Sequence, residues 1–400
     1  MRFLTVFWLA GFACFWMLST SIAAGEKTLV FKEELRIGGG DDEHYLWSGA
    51  KTALQVNNSG HIFVMDESGN RIVVFDDKGA FLRQIGREGQ GPGEFVSLRG
   101  FTILADQSGI VHENRQGTSV FTFYDKEMNY KDRKTYLAGD LGRIIVSAGY
   151  SPDGARVSGF FMDIVSQTGM MVKIGMLSDD LKQEHLVLSK MQLNRFVGSR
   201  LNEPDYLPKF LAQYFKMLPN GMGLVSFGQD GTIYSALTTK YEITRWSPDM
   251  KDKKVFAHKY KPIPLNDDEI MSMIDPLRQE VISSFGPQGE QLISEGVIKK
   301  AIAFSEFAPA RQPLFGLIPI DNGDLIAVSS YSVQTGKVAG DIFDKNGAWK
   351  GKANLPPIAI NTFGSYFGVA AKMWIKNGKA YTIEHHDDEI SVARYSFAWK

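Results

Sequence analysis

Few residues of this 400-residue chain are of types and spacings suited to chemistry. His385-His386-Asp387-Asp388 is a dense run of metal-ligating side chains. Neighbouring residues on a strand point to opposite faces, so two adjacent histidines do not easily close on one ion. The run also falls where a turn is expected, and a solvated turn accounts for it without a metal. Glu113-Asn114 offers a carboxylate and an amide oxygen, the donors that Ca²⁺ takes, though such a pair needs Asp or Asn partners from elsewhere in the chain. No Gly-x-Ser-x-Gly nucleophile elbow occurs. The glycine-rich run Gly86 to Gly93 lacks the lysine and following helix of a phosphate-cradling loop, and reads instead as a connection between sheets. Phe363, Tyr366 and Phe367 are aromatic candidates for the lining of a ligand mouth, with a place in the core as their competing role.

The elements that must position these groups begin after a leader. Arg2 precedes an almost unbroken apolar run from Phe3 to Leu18, and small and polar residues follow to Gly25. That order is a secretory signal peptide over residues 1–24, with cleavage expected after Ala23 or Ala24. The run is shorter than the roughly 20 apolar residues of a membrane-spanning helix. Cys14, the only cysteine, lies inside it, and Gly11-Phe12-Ala13 is a poor approach to a lipidated cysteine. The mature chain therefore carries no thiol, which excludes disulfides, zinc-thiolate sites and cysteine nucleophiles. Loss of Arg2 with the leader takes the formal charge from −1 to −2. No basic run points to nucleic acid, and no membrane insertion is expected once the leader is cleaved.

Gly is abundant at 40 residues and aromatics reach 12%, as expected of many tight turns between aromatic-rich strands. The clearest unit runs from Ala53 to Phe95. Strands are expected at 53–56, 61–66, 71–75 and 80–85, separated by turns at Asn57–Gly60, Glu67–Asn70 and Asp76–Gly79. Asp66 and Arg71 bracket the second turn, where an ion pair or turn hydrogen bond explains them. Weaker echoes follow at 103–136, 144–188, 215–260, 314–355 and 373–397, making six units. The last offers only about three strands, while Thr28 to Ile37 is a strand with no unit of its own. A ring in which the N-terminal strand completes the last sheet solves both and leaves no long open edge.

Residues 265–304 do not read as sheet. Asn266-Asp267-Asp268 forms a helix-capping region, and Ile270, Met273, Ile274, Leu277 and Val281 recur at helical spacing, with Pro276 expected to kink or divide the run. A second run carries Leu292, Ile293, Val297, Ile298 and Ile302. The segment is expected to be a helical hairpin between the fourth and fifth units, lying on a blade surface or capping one mouth of the ring. An irregular stretch is expected over 194–210, with Pro204 and Pro208.

Gly60 through Asp76, Gly79, Phe81 and Gly86 to Phe95 resembles an NHL repeat, most specifically over Ile85 to Phe95. The chain is similar to exported bacterial propellers of the NHL or TolB-like kind. The close match covers about one unit in six. The resemblance implies an all-β, six-bladed β-propeller, a single domain over 25–400 closed by its N-terminal strand. In propeller hydrolases and lactonases of this kind, acidic and amide ligands for a divalent ion often stand near the strand turn where Glu113 and Asn114 fall. The other units agree in pattern rather than in letters, so no further ligand set carries over.

Two functions follow as expectations. One is an exported, non-catalytic binding or scaffold propeller, periplasmic or secreted and monomeric, holding an envelope protein, peptide or glycan at its mouth or rim without a cofactor. The other is a divalent-metal-dependent hydrolase, lactonase or lyase, with oxygen ligands from several blades converging on the channel. No catalytic residue and no metal ligand set is assigned, and calcium is the ion the second reading names.

Overall fold

The computed structural model describes residues 27–38, 53–166, 169–194, 196–215, 223–284, 289–305, 310–331, 337–358, 373–386 and 389–400. Four-stranded antiparallel sheets follow one another along the chain. After the N-terminal strand β1 (Thr28–Ile37), the first sheet takes its strands in chain order: β2 (Ala53–Val56), β3 (Ile62–Asp66), β4 (Arg71–Phe75) and β5 (Phe81–Ile85).

 Thus β2 to β5 make up blade 1, and β1 itself belongs to the last blade. Blade 2 holds β6 (Leu98–Ile103), β7 (Gly109–Arg115), β8 (Thr118–Tyr124) and β9 (Tyr130–Leu137). Blade 3 holds β10 (Arg143–Tyr150), β11 (Arg156–Ile164), β12 (Gly169–Ser178) and β13 (Glu184–Asn194), after a single helical turn, α1 (Ala138–Leu141). Blade 4 holds β14 (Gly223–Phe227), β15 (Ile233–Leu237), β16 (Glu242–Trp246) and β17 (Lys253–Ala257). Blade 5 holds β18 (Gly316–Pro319), β19 (Leu325–Tyr331), β20 (Val338–Phe343) and β21 (Trp349–Leu355). Blade 6 holds β22 (Met373–Lys376), β23 (Lys379–His386) and β24 (Glu389–Trp399), with β1 as its outermost strand. The fold is a six-bladed propeller.

The closure joins the two ends of the chain. β1 runs antiparallel to β24 from Leu29↔Trp399 to Ile37↔Val392. Thr28 N donates to Lys400 O at 3.0 Å, and Lys400 N returns a bond to Thr28 O at 2.9 Å. β1 also pairs in parallel with β21, Thr28 opposite Lys352 and Val30 opposite Asn354, so blades 5 and 6 share one eight-stranded sheet.

Burial explains the strand sequences. All of β3 and nearly all of β4 are buried, because both faces of a middle strand meet a neighbouring blade. On β3, Ile62 and Val64 pack with Tyr381, Ile383 and Val392 of blade 6, while Phe63 and Met65 pack with Phe101 and Val111 of blade 2. The outer strand β9 is mostly exposed and carries Lys131, Asp132 and Lys134, charges that discourage edge-to-edge pairing.

The contact between blades 3 and 4 is built differently. The face of blade 3 formed by Phe160, Val172, Ile174 and Leu193 is covered by helices. These are α2 (Tyr206–Phe215), between blades 3 and 4, and α3 (Asp267–Ser284), α4 (Gly289–Leu292) and α5 (Glu295–Ser305), between blades 4 and 5. Leu207, Leu211, Phe215, Ile274, Ile293 and Ile298 supply the helical side of that core. Asn266 and Glu269 form a reciprocal cap at the start of α3, Glu269 N donating to Asn266 Oδ1 at 2.9 Å and Asn266 N to Glu269 Oε2 at 3.1 Å. Two local expectations are corrected. α3 runs on through position 276 undivided, and the last five residues of the stretch expected to be irregular over 194–210 open α2. Pro208 sits in the first turn of α2, where a missing N–H costs nothing.

Candidate functional site in the central channel

The first strand of each blade faces the axis, and together the six enclose a cavity of about 480 Å³. Each blade contributes an apolar side chain to its wall: Leu54, Phe101, Tyr150, Phe227, Leu317 and Trp374. The inner edge of such a strand has backbone groups that no further strand can pair. Side chains of the preceding blade meet part of that need. Gln55 Nε2 donates to Phe101 O at 2.9 Å, and its Oε1 accepts from Ile103 N at 2.6 Å. Thr102 Oγ1 accepts from Tyr150 N at 3.1 Å.

The turns after these strands are linked around one mouth of the channel. Asn377 Nδ2 donates to Asn58 O at 3.2 Å, Asn58 N to Gln107 Oε1 at 2.8 Å, and Ala105 N to Pro152 O at 2.8 Å. From blade 4, Gln229 reaches two further blades. Its Nε2 bonds Asp321 Oδ1 and donates to Ile375 O at 3.2 Å, and its Oε1 accepts from Lys376 Nζ at 2.6 Å. The described links run from blade 4 through blades 5, 6, 1 and 2 to blade 3.

The charged groups among the described residues of the wall are Arg99 and Lys376, both cationic. Arg99 is neutralised by an ion pair with Glu67. Lys376 is half-buried, and burial holds its ammonium below the ordinary lysine range, partly offset by Asp321. The indole nitrogen of Trp374 is buried and has no hydrogen-bond partner among the described residues.

His112 lies just behind the wall, on β7 opposite Gly100. Its ring stacks on Phe121 at 4.7 Å, and neither ring nitrogen has a hydrogen-bond partner among the described residues. Burial pushes its pKa from 6.5 down to about 3, with a further contribution from the charge of Arg99. The depressed value sets the sign: the native state holds the ring neutral, whereas the unfolded chain takes up a proton below about pH 6.5. Stability is therefore full above that pH and falls as the pH drops toward 3. The expected loss by pH 5 is roughly 2 kcal/mol. Carboxylates with lowered pKa values, such as Glu184, act only from about 4.5 downward. Urea unfolding at pH 7 and pH 5 measures the difference, and His112→Leu should remove most of it. An equal loss in the variant assigns the acid sensitivity to other groups.

The described sequence candidates, Glu113 and Asn114, fall elsewhere than the cavity wall. Glu113 is fully buried on β7, accepting from Val96 N at 2.8 Å and pairing with Arg115 at 2.9 Å. Asn114 Nδ2 donates to Ile145 O at 2.8 Å, and its Oδ1 accepts from Gly117 N at 3.1 Å. The Glu113 carboxylate thus ties blade 2 to its connector, while the Asn114 amide nitrogen ties it to blade 3 and the amide oxygen closes the turn after β7. Asp66 and Arg71 form the turn-bracketing pair, Nε to Oδ2 at 3.0 Å. Phe363, Tyr366 and Phe367 lie outside the described residues, as do the leader, Asp387-Asp388 and the side chains of His385 and His386. Among the described residues no group of three His, Cys, Asp or Glu side chains is placed to hold a metal ion. The wall residues Trp374 and Lys376 escaped sequence reading. Their only local signal is an aromatic and a cation two apart on a short strand before Asn377-Gly378.

Residues 50–136 match a family model described as a 6-bladed beta-propeller. No curated protein matches the chain. Among solved structures, a member of the DUF4221 family from Bacteroides vulgatus is similar at 8% identity and a TM-score of 0.51, over 92% of this chain and 98% of that one. A virginiamycin B lyase from Staphylococcus aureus is similar at 12% identity and a TM-score of 0.36, over 92% and 99%. The calcium-binding protein regucalcin from Agrobacterium tumefaciens is similar at 10% identity and a TM-score of 0.36, over 92% and 94%. At 8% identity the likeness to the first of these shows the fold alone, and one fold carries many functions. No helix among the described residues is long and apolar enough to cross a membrane.

Proposed function

We propose that this is an exported, non-catalytic binding propeller that holds a small organic ligand, or the tip of a peptide or glycan, in its central channel. The observation that carries this reading is the composition of the cavity wall. Apolar and aromatic side chains come from every blade, and the charged groups that the described wall presents are cations, which suit a metal ion poorly. A volume of about 480 Å³ falls within the roughly 300–1,000 Å³ of small-molecule sites. Export to the periplasm or beyond rests on the leader at residues 1–24. Glu113 and Asn114 serve the scaffold in this reading.

The test is a thermal-shift screen of the mature protein, purified without chelator, against short peptides, oligosaccharides and small organic molecules. Gly149→Met provides the control. Gly149 lines the cavity, and a Cβ there meets nothing nearer than Ser158 Oγ at 3.8 Å, so a flexible side chain has room to fill the channel. A ligand that shifts the wild type should lose its effect in the variant. Elemental analysis and shifts with Ca²⁺, Mg²⁺, Mn²⁺ and Zn²⁺ run beside the screen. A stoichiometric ion would replace this reading with that of a metal-dependent enzyme.

A further inference from the structure

We propose that the channel takes an amphipathic anion, its acidic group bound by Lys376 and the indole N–H of Trp374 and its apolar body laid along the aromatic wall. The inference deepens the channel reading and rests on it. Trp374 and Lys376 are two apart on β22, so their side chains share one face of the strand, and both line the cavity. Indole nitrogen and ammonium are donors only. The Trp374 donor is buried without an acceptor among the described residues. Lys376 gives its described hydrogen bond to a neutral acceptor, the Gln229 amide oxygen. The neighbouring carboxylate of Asp321 is taken up by Gln229 Nε2 and by Gly378 N at 3.0 Å.

The wall therefore holds a half-buried cation hydrogen-bonded to a neutral amide and offset only in part by Asp321, beside a second donor with no acceptor among the described residues. The other cation of the wall, Arg99, already has Glu67. This difference places the acidic group of the ligand at the Lys376 end. The remaining wall, with Phe101, Tyr150, Phe227 and Leu317, suits a hydrocarbon or aromatic body. A ligand cation would meet like charge, and a fully polar ligand would leave most of its groups against apolar side chains.

Two dyes with one aromatic body test the charge directly: anilinonaphthalene sulfonate and the uncharged N-phenylnaphthylamine. The sulfonate should bind the wild type at least tenfold more tightly than the neutral dye. Lys376→Met should weaken the sulfonate by roughly tenfold to a hundredfold, the range of a charge-assisted hydrogen bond, and leave the neutral dye unchanged. Lys376→Arg should keep most of the preference. Decanoate should displace the sulfonate and decanol should not. Gly149→Met should lose both dyes, which locates them in the channel. Equal binding of the two dyes to the wild type, both lost in Gly149→Met, overturns the anion and leaves the channel reading standing. Binding of neither dye to the wild type overturns both. Sulfonate binding unchanged in Lys376→Met also overturns the proposal.

Discussion

Arg36→Met should destabilise the protein by about 3 kcal/mol, because it strips a buried carboxylate of its cation. Arg36 stands on β1 and reaches across β24 to Glu384 on β23, Nη2 to Oε2 at 2.9 Å. Its Nη1 also donates to Ser391 Oγ at 2.8 Å. The Glu384 side chain is fully buried, and it also accepts from the hydroxyls of Thr382, at 3.0 Å, and Tyr395. Breaking a buried pair by removing one partner costs about 3–5 kcal/mol. The lower end applies because the Arg36 side chain is 36% exposed and water can take part of its place. Glu33 also binds Arg36, but that carboxylate is 41% exposed, so Glu33→Ala should cost at most about 1 kcal/mol. Urea denaturation of the two variants and of Arg36→Met with Glu384→Gln reads the coupling. The double variant should recover part of the loss, since a neutral amide no longer leaves a buried charge. Arg36→Met within 0.5 kcal/mol of wild type, a difference of roughly the size of a surface substitution, would show that the closure does not depend on this pair.

Gly86→Ala should be comparably damaging, and for a local reason. Gly86 has φ of +75°, and an added Cβ would lie 2.1 Å from Cε2 and 2.4 Å from Cδ2 of Phe95. Phe95 is fully buried between blades 1 and 2, so the ring has nowhere to retreat. The connector is held in place around it: Phe95 N donates to Arg87 O at 2.8 Å, Gly89 N to Phe95 O at 2.9 Å, and Glu94 accepts from Gly91 N at 2.9 Å. The left-handed backbone costs an alanine about 1 kcal/mol, and displacement of a packed ring adds about 1–3 kcal/mol. Gly378→Ala isolates the first cost. Gly378 has φ of +68° and nothing within 4 Å of its Cβ position, so about 1 kcal/mol is expected there. Thermal melts of the two variants compare them. Equal shifts would mean that Phe95 yields without cost.

Blade 1 was legible because its signals are local. The strands expected at 53–56, 61–66, 71–75 and 80–85 are found at 53–56, 62–66, 71–75 and 81–85. Their turns are closed by side chains reaching two to four residues along the chain. Asn57 Oδ1 accepts from Ser59 N at 3.0 Å and His61 N at 2.9 Å, and Asp76 Oδ1 from Lys78 N at 2.9 Å and Ala80 N at 2.8 Å. The start of α3 was legible for the same reason, since Asn266 and Glu269 cap it within one turn. α2 was not, because its stability comes from burying Leu207, Leu211 and Phe215 against blade 3 and α5 rather than from its own pattern.

The candidate site was the least legible part. Glu113 and Asn114 carry suitable oxygens, but their type does not reveal that Arg115 already engages the first and Gly117 N the second. Trp374 and Lys376 look ordinary until five other inner strands are set around them.

By itself, then, the sequence determined the strands, their turns and the number of blades, along with the spare N-terminal strand that completes the last one. These follow from alternation, Asx and glycine turns and repeat spacing, all of which act over a few residues. Only the tertiary structure decided that β1 also pairs with β21, that helices cover one face of blade 3, and that one cation of the channel wall gives its described hydrogen bond to a neutral amide. Each of these depends on groups from distant parts of the chain meeting in space. Burial and charge balance are properties of that meeting, and no stretch of sequence carries them alone.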